Sequence, residues 1–102
     1  MDRLAELEKM LQENPHDPFL QYGIALEYAA KGDVPEAIAR IEKLLSEKPD
    51  YLGAYYQLGQ YYEAESNYEE AIDTYKRGII IAEKQGNKKT LGELRSALEM
   101  ID

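Results

Sequence analysis

The chain has no cysteine and no tryptophan, and only one histidine and one phenylalanine. Without cysteine there are no disulfides, no thiolate metal sites and no thiol nucleophile, and the composition suits a reducing compartment such as the cytoplasm. His16 lies in a turn between Pro15 and Asp17, with no second histidine to share a metal ion or to pair with a nucleophile. No metal or other cofactor is expected. Basic residues are few, 12 Lys and Arg against 20 Asp and Glu, so the formal net charge is −8. A nucleic-acid backbone or an anionic membrane would be repelled. Long hydrophobic runs are also missing: no stretch approaches the roughly 20 apolar residues of a membrane span. The opening residues MDRLAELEKM are charged throughout, unlike a signal peptide.

Catalytic patterns are missing as well. Ser46, Ser66 and Ser96 have no evident triad partner, there is no H-E-x-x-H, and no glycine-rich phosphate loop follows a strand. Carboxylates are abundant, but they fall on helix surfaces without the apolar surroundings that raise one of them into the range of an acid catalyst. The chain is not expected to be an enzyme.

What is present is helical periodicity. Leu4, Leu7, Met10 and Leu11 share one face of a helix over about 2–13, which Asn14-Pro15 ends. Asp17-Pro18 reads as an N-cap followed by proline at the first helical position. That helix runs from about 17 to 31, turns Ile24, Ala25 and Tyr28 inward, and stops at Gly32. Asp33 with Glu36 has the spacing of a capping box and opens a helix bearing Ala37, Ile38, Ile41, Leu44 and Leu45. Lys48-Pro49-Asp50 closes it and is expected to cap the next. Tyr55, Leu58, Gly59 and Tyr62 then form another stripe, and Asn67 with Glu70 repeats the earlier cap. The run Gly78, Ile79, Ile80, Ile81, Ala82 is broader than one stripe and predicts a helix covered on two sides. A last helix over about 88–101 carries Leu91, Leu94, Leu98 and Ile101, its cap being either Asn87 or Thr90.

The second hairpin repeats the first at a distance of 34 residues: Pro15 with Pro49, Tyr22 with Tyr56, Tyr28 with Tyr62, Ala30 with Ala64, Glu36 with Glu70, Ala37 with Ala71 and Ile38 with Ile72. Seven identities exceed the roughly two expected by chance over such a window. Tyr55-x2-Leu58-Gly59-x2-Tyr62 followed by Ala71-x3-Tyr75 resembles the tetratricopeptide repeat signature W-x2-L-G-x2-Y and A-x3-F, with tyrosines where Trp and Phe usually stand. In the first repeat Gln21 replaces the usual aromatic, and at the end Glu83 stands where the signature has proline. The resemblance implies an all-α fold, an α-α superhelix of about six antiparallel helices in a single domain over 1–102. It would comprise a half-repeat helix (1–14), repeats over 18–49 and 52–82, and a closing helix (88–101). Close crossings are expected where Ala25 meets Ala37 and where Gly59 meets Ala71, because a larger side chain would hold the backbones apart.

The resemblance also implies a protein- or peptide-docking scaffold that uses the concave face of the first helix of each repeat. The family's inner-face positions fall here on Phe19, Tyr22, Leu26 and Ala29, then on Gly53, Tyr56, Gln60 and Glu63, with Lys89, Gly92 and Ser96 added by the closing helix. The candidate peptide-binding residues are therefore Phe19, Tyr22, Leu26, Tyr56, Gln60 and Glu63. Phe19 and Leu26 could equally pack on the N-terminal helix. The Lys and Asn with which some members hold a C-terminal carboxylate are replaced by Tyr22, Leu26, Tyr56 and Gln60. Five acids and no base lie between Tyr55 and Tyr75, so an apolar or basic segment is the expected ligand. The alternative is a structural role, with the groove filled by a second copy in a homo-oligomer or by the rest of a longer chain.

Overall fold

The computed structural model describes residues 2–101, among which there are six α-helices and no strand. They are α1 (Arg3–Glu13), α2 (Pro18–Ala30), α3 (Val34–Glu47), α4 (Gly53–Ala64), α5 (Tyr68–Gln85) and α6 (Lys88–Ile101). The helices group into two compact units, the first ending at Lys48 and the second beginning at Pro49.

Local chemistry sets most boundaries. The Asp17 carboxylate accepts from the backbone N–H groups of Phe19 (2.9 Å) and Leu20 (3.4 Å), with Pro18 at the first helical position. Asp33 accepts from the Glu36 N–H at 3.2 Å, but the Glu36 side chain pairs with Arg40 (2.8 Å), so only half of a capping box forms. Asn87 Oδ1 accepts from the Thr90 N–H at 3.0 Å and is the cap of α6. Two expected caps are corrected. Asn67 precedes α5 without a side-chain cap bond; Glu69 and Glu70 in the first turn face the helix dipole instead. Asp50 does not cap α4, which begins after Leu52. There a buried leucine holds the entry, and the Asp50 carbonyl accepts from Gln85 Nε2 at 2.7 Å.

In the first unit α2 packs against both α1 and α3, and Leu7, Leu20 and Ile24 are buried together with Leu4, Leu11 and Tyr28 packed against them. Tyr28, expected in the core, is only partly buried. The Arg40 guanidinium lies over its ring, 4.6 Å from the centroid. In the second unit α5 packs against α4 and α6, and α4 also touches α6. Its core holds Tyr55, Leu58, Ala71, Tyr75 and Leu94, each nearly or wholly inaccessible.

The small residues sit where the helices close on each other. Ala25, Ala37, Gly59 and Ala71 are all buried. The three atoms that a Cβ at Gly59 would meet first belong to the ring of Tyr75, one turn along α5 from Ala71. Gly78 makes a second such contact: a Cβ there would stand 2.7 Å from Tyr55 Cβ and 3.0 Å from Leu94 Cδ1, so this glycine lets α5 close on both neighbours. The isoleucine run is not covered on all sides. Ile80 is 53% exposed, while Ile79 and Ile81 are half-buried.

The 34-residue period extends to hydrogen bonds. Tyr55 donates its hydroxyl proton to the Pro49 carbonyl. Gln21 Nε2 donates to the Pro15 carbonyl at 2.8 Å, so the amide that replaces the aromatic keeps its bond and loses its ring. The turns repeat as well. The backbone N–H of Asp33 reaches Tyr28 O (2.9 Å) and that of Asn67 reaches Tyr62 O (2.8 Å). Between helices the chain passes through the left-handed region at Gly32 (φ +92°) and at Ser66 (φ +58°), 34 residues later.

Two stability predictions follow from the packing and the turns. Ala71→Leu should lower stability by about 1–3 kcal/mol through overpacking, while Ala64→Leu, at an exposed site, should change it by less than about 0.5 kcal/mol. Similar melting shifts for the two would rule out this placement of α5. Ser66→Gly should stabilise by about 0.5–1 kcal/mol in urea unfolding, because glycine adopts a positive φ without the Cβ penalty.

Candidate functional site

The second unit contains a cleft of about 670 Å³ between α4 and α6. Tyr56, Gln60 and Glu63 line it from α4, spaced at i, i+4 and i+7 so that they share one helix face. From α6 it is lined by Lys89, Gly92 and Ser96, the three residues expected to extend the inner face. Glu93, Ala97 and Met100 also line it, and these were missed. They form the adjacent stripe of α6 at i, i+4 and i+7, a pattern that was visible but that inner-face register alone does not select. Met100 is 86% exposed and Tyr56 39%, two large side chains left at the mouth of a cleft. Gly92 has no atom within 4 Å of where a Cβ would stand, so it keeps one wall of the cleft low.

Below these residues lies Tyr75 from α5, whose ring fills the place that Gly59 leaves open. Its hydroxyl donates to Glu63 Oε2 at 2.5 Å and accepts from Gln60 Nε2 at 2.6 Å. Gln60 Nε2 also lies 3.3 Å from the same carboxylate oxygen. The Tyr56 ring is tilted against Tyr75, with centroids 6.3 Å apart at 47°. Two of the expected site residues are therefore held in position by a buried tyrosine that entered the sequence reading only as a position of the repeat signature. Burial is the main cause that raises the Tyr75 phenol above its ordinary range, and the hydrogen bond to the Glu63 carboxylate raises it further.

Phe19, Tyr22 and Leu26 stand on α2 in the first unit, at i, i+3 and i+7. Phe19 is 69% exposed, while Tyr22 and Leu26 are half-buried. Phe19 is thus not the packing residue that the alternative reading allowed. The structure places the six candidates as two sets of three, one in each unit. Among the described residues no group of three or more His, Asp or Glu is arranged to hold a metal ion, and no helix is long and apolar enough to cross a membrane.

The network around Tyr75 makes a pH prediction. A phenol whose pKa is higher in the folded than in the unfolded chain contributes stability that is present below the unfolded value near 10 and is lost as pH rises past it. Wild type should therefore lose stability above about pH 10, and Tyr75→Phe should lose less over that interval. At pH 7 the same variant should cost about 1.5–3 kcal/mol, from the loss of a hydrogen bond to a charged group. Urea unfolding at pH 7 and 10.5 measures both effects, and parallel pH slopes in the two proteins would contradict the assignment.

A tetratricopeptide repeat family model matches residues 22–87. Among solved structures, the chain is similar to a tetratricopeptide repeat domain protein from Salinibacter ruber. Its crystal structure is 40% identical with a TM-score of 0.78, the match covering 83% of this chain and 94% of that one. The solution structure of the S. ruber domain gives 40% identity and a TM-score of 0.83, covering 86% and 89%. A protein from Bordetella parapertussis shares the fold over 99% of this chain and 88% of its own, with a TM-score of 0.86 at 21% identity. No curated protein sequence gives a significant match. Domains of this kind generally serve as protein-interaction scaffolds rather than catalysts. The signature residues, the helical hairpins and these similarities agree, and the chain belongs to the tetratricopeptide repeat family.

Proposed function

We propose that the protein is a docking scaffold whose second unit holds a polypeptide segment in the α4–α6 cleft. On this reading the segment brings apolar side chains against Tyr56 and Met100 and a basic side chain toward Glu63 and Glu93. The supporting observation is the Gln60–Tyr75–Glu63 network, which fixes a carboxylate at the floor of an open cleft bordered by exposed aromatic and aliphatic groups. A carboxylate already held by a donor from another helix loses little side-chain freedom when a ligand arrives, so more of the contact energy appears as affinity. Exposed aromatic groups commonly dominate such interfaces. Phe19, Tyr22 and Leu26 offer a further apolar strip on the first unit. In this reading the chain comprises a half-repeat helix, two repeats and a closing helix.

Panning a random peptide library against the full chain tests the reading. Wild type should enrich sequences with Lys or Arg beside aliphatic residues, and Tyr56→Ala with Glu63→Gln should lose that enrichment. Tyr56 is partly exposed, so its truncation should leave the protein folded, whereas Tyr62→Ala in the core should cost roughly 3–5 kcal/mol. An enriched motif that survives unchanged in the double variant would remove the cleft from the function. Association of the chain with itself, seen by sizing across concentration and lost in the same variant, would favour the assembly role.

A further inference from the structure

In the second unit Pro49, Arg77 and Gly78 are among the residues that border Tyr55. Its hydroxyl donates to the Pro49 carbonyl, the Arg77 guanidinium lies 5.6 Å from its ring centroid, and Gly78 passes close to its Cβ. One repeat earlier, 34 residues back, these four positions are Gln21, Pro15, Lys43 and Leu44. All four line a single cavity of about 140 Å³ in the first unit. Leu44, which is buried, takes some of the room that Gly78 gives to the ring. The space that remains is close in volume to the roughly 150 Å³ of a cavity known to admit benzene, but it opens to the surface and Leu11, Arg40 and Glu47 complete its partly polar lining. An open depression beside it shares Leu11, Pro15 and Arg40 with this cavity.

We propose that this cavity is a docking site for an aromatic side chain presented by a partner polypeptide, with Lys43 as the cation at the ring's face. The second repeat supplies the template: the same backbone surroundings there hold a tyrosine ring with a cation beside it. An aliphatic group would fill the space but would gain nothing from Lys43, whereas the negative face of an aromatic ring is attracted to it; Arg40 is already engaged by the Tyr28 ring and Glu36. Gln21 keeps its amide bonded to the Pro15 carbonyl, so an entering ring need not satisfy that acceptor. The site is independent of the α4–α6 cleft and stands or falls separately.

The test is amide NMR of the full chain titrated with p-cresol, with N-acetyl-tyrosinamide, and with 4-methylcyclohexanol as the non-aromatic counterpart of p-cresol. Both aromatic probes should shift Gln21, Lys43 and Leu44, and 4-methylcyclohexanol should bind several-fold more weakly. Lys43→Ala, at an exposed position, should fold normally and weaken p-cresol about two- to fivefold, as expected for a solvent-exposed cation–π contact. Gln21→Tyr, which places a ring in the cavity, should abolish binding. No shift at these residues, equal affinity for the saturated alcohol, or persistence of binding in Gln21→Tyr would each overturn the proposal. Binding of p-cresol without N-acetyl-tyrosinamide would also overturn it, by confining the cavity to free small molecules.

Discussion

The contact on which the second unit depends is that of Tyr75 with Gly59. A phenol ring occupies the space a Cβ would need, so the depth at which α4 and α5 approach is limited by the ring. Because that depth is fixed, the tyrosine hydroxyl emerges where Gln60 and Glu63, one and four residues beyond Gly59, can reach it. A core-packing constraint on one side of the ring thus becomes a positioning constraint on the other. The same unit uses Gly78 in the same sense: without a side chain there, Tyr55 and Leu94 both come within contact of α5, and α6 is drawn in far enough to form the second wall of the cleft.

Helices and fold class were legible because their signals are local or periodic. Asp17-Pro18 and Asp33 act on backbone groups two or three residues away, and a stripe such as Tyr55, Leu58, Gly59, Tyr62 needs only helical geometry. The cap expected of Asp50 failed where a tertiary demand overrode the local one. Burial of Leu52 fixes the entry to α4 without help from Asp50. The isoleucine run marked a helix covered on two sides, and α5 packs against α4 and α6; three consecutive residues on a helix span more than half its circumference, so one still faces outward, and Ile80 is that one.

The site was legible in part, for a related reason. In the second unit, register along the repeat selects Gly53, Tyr56, Gln60, Glu63, Lys89, Gly92 and Ser96, and all but Gly53 line one cleft. Register cannot identify the residue beneath them, because Tyr75 belongs to a different helix and its hydroxyl enters the site from below. A signal did exist: a tyrosine stands where the family has phenylalanine, and a buried hydroxyl needs a partner. The first repeat shows the converse. Gln21 reads as a departure from the aromatic position, yet it conserves the hydrogen bond to the preceding turn and gives up only the ring.

The same network bears on selectivity. Glu63 is half-buried with one oxygen engaged by Tyr75, so a ligand that covers it without supplying a cation or a donor strips water from a charge and returns nothing. That penalty, about 1–3 kcal/mol for an unpaired polar group and more for a charged one, is comparable to the gain from burying one aliphatic side chain against Tyr56 or Met100. Apolar segments lacking a basic group would therefore come close to breaking even in the cleft, and segments carrying one would keep the apolar gain. Under the proposed docking role, discrimination arises less from attraction to the protein's net negative charge, which salt screens at the surface, than from the cost of covering one positioned carboxylate with the wrong chemistry.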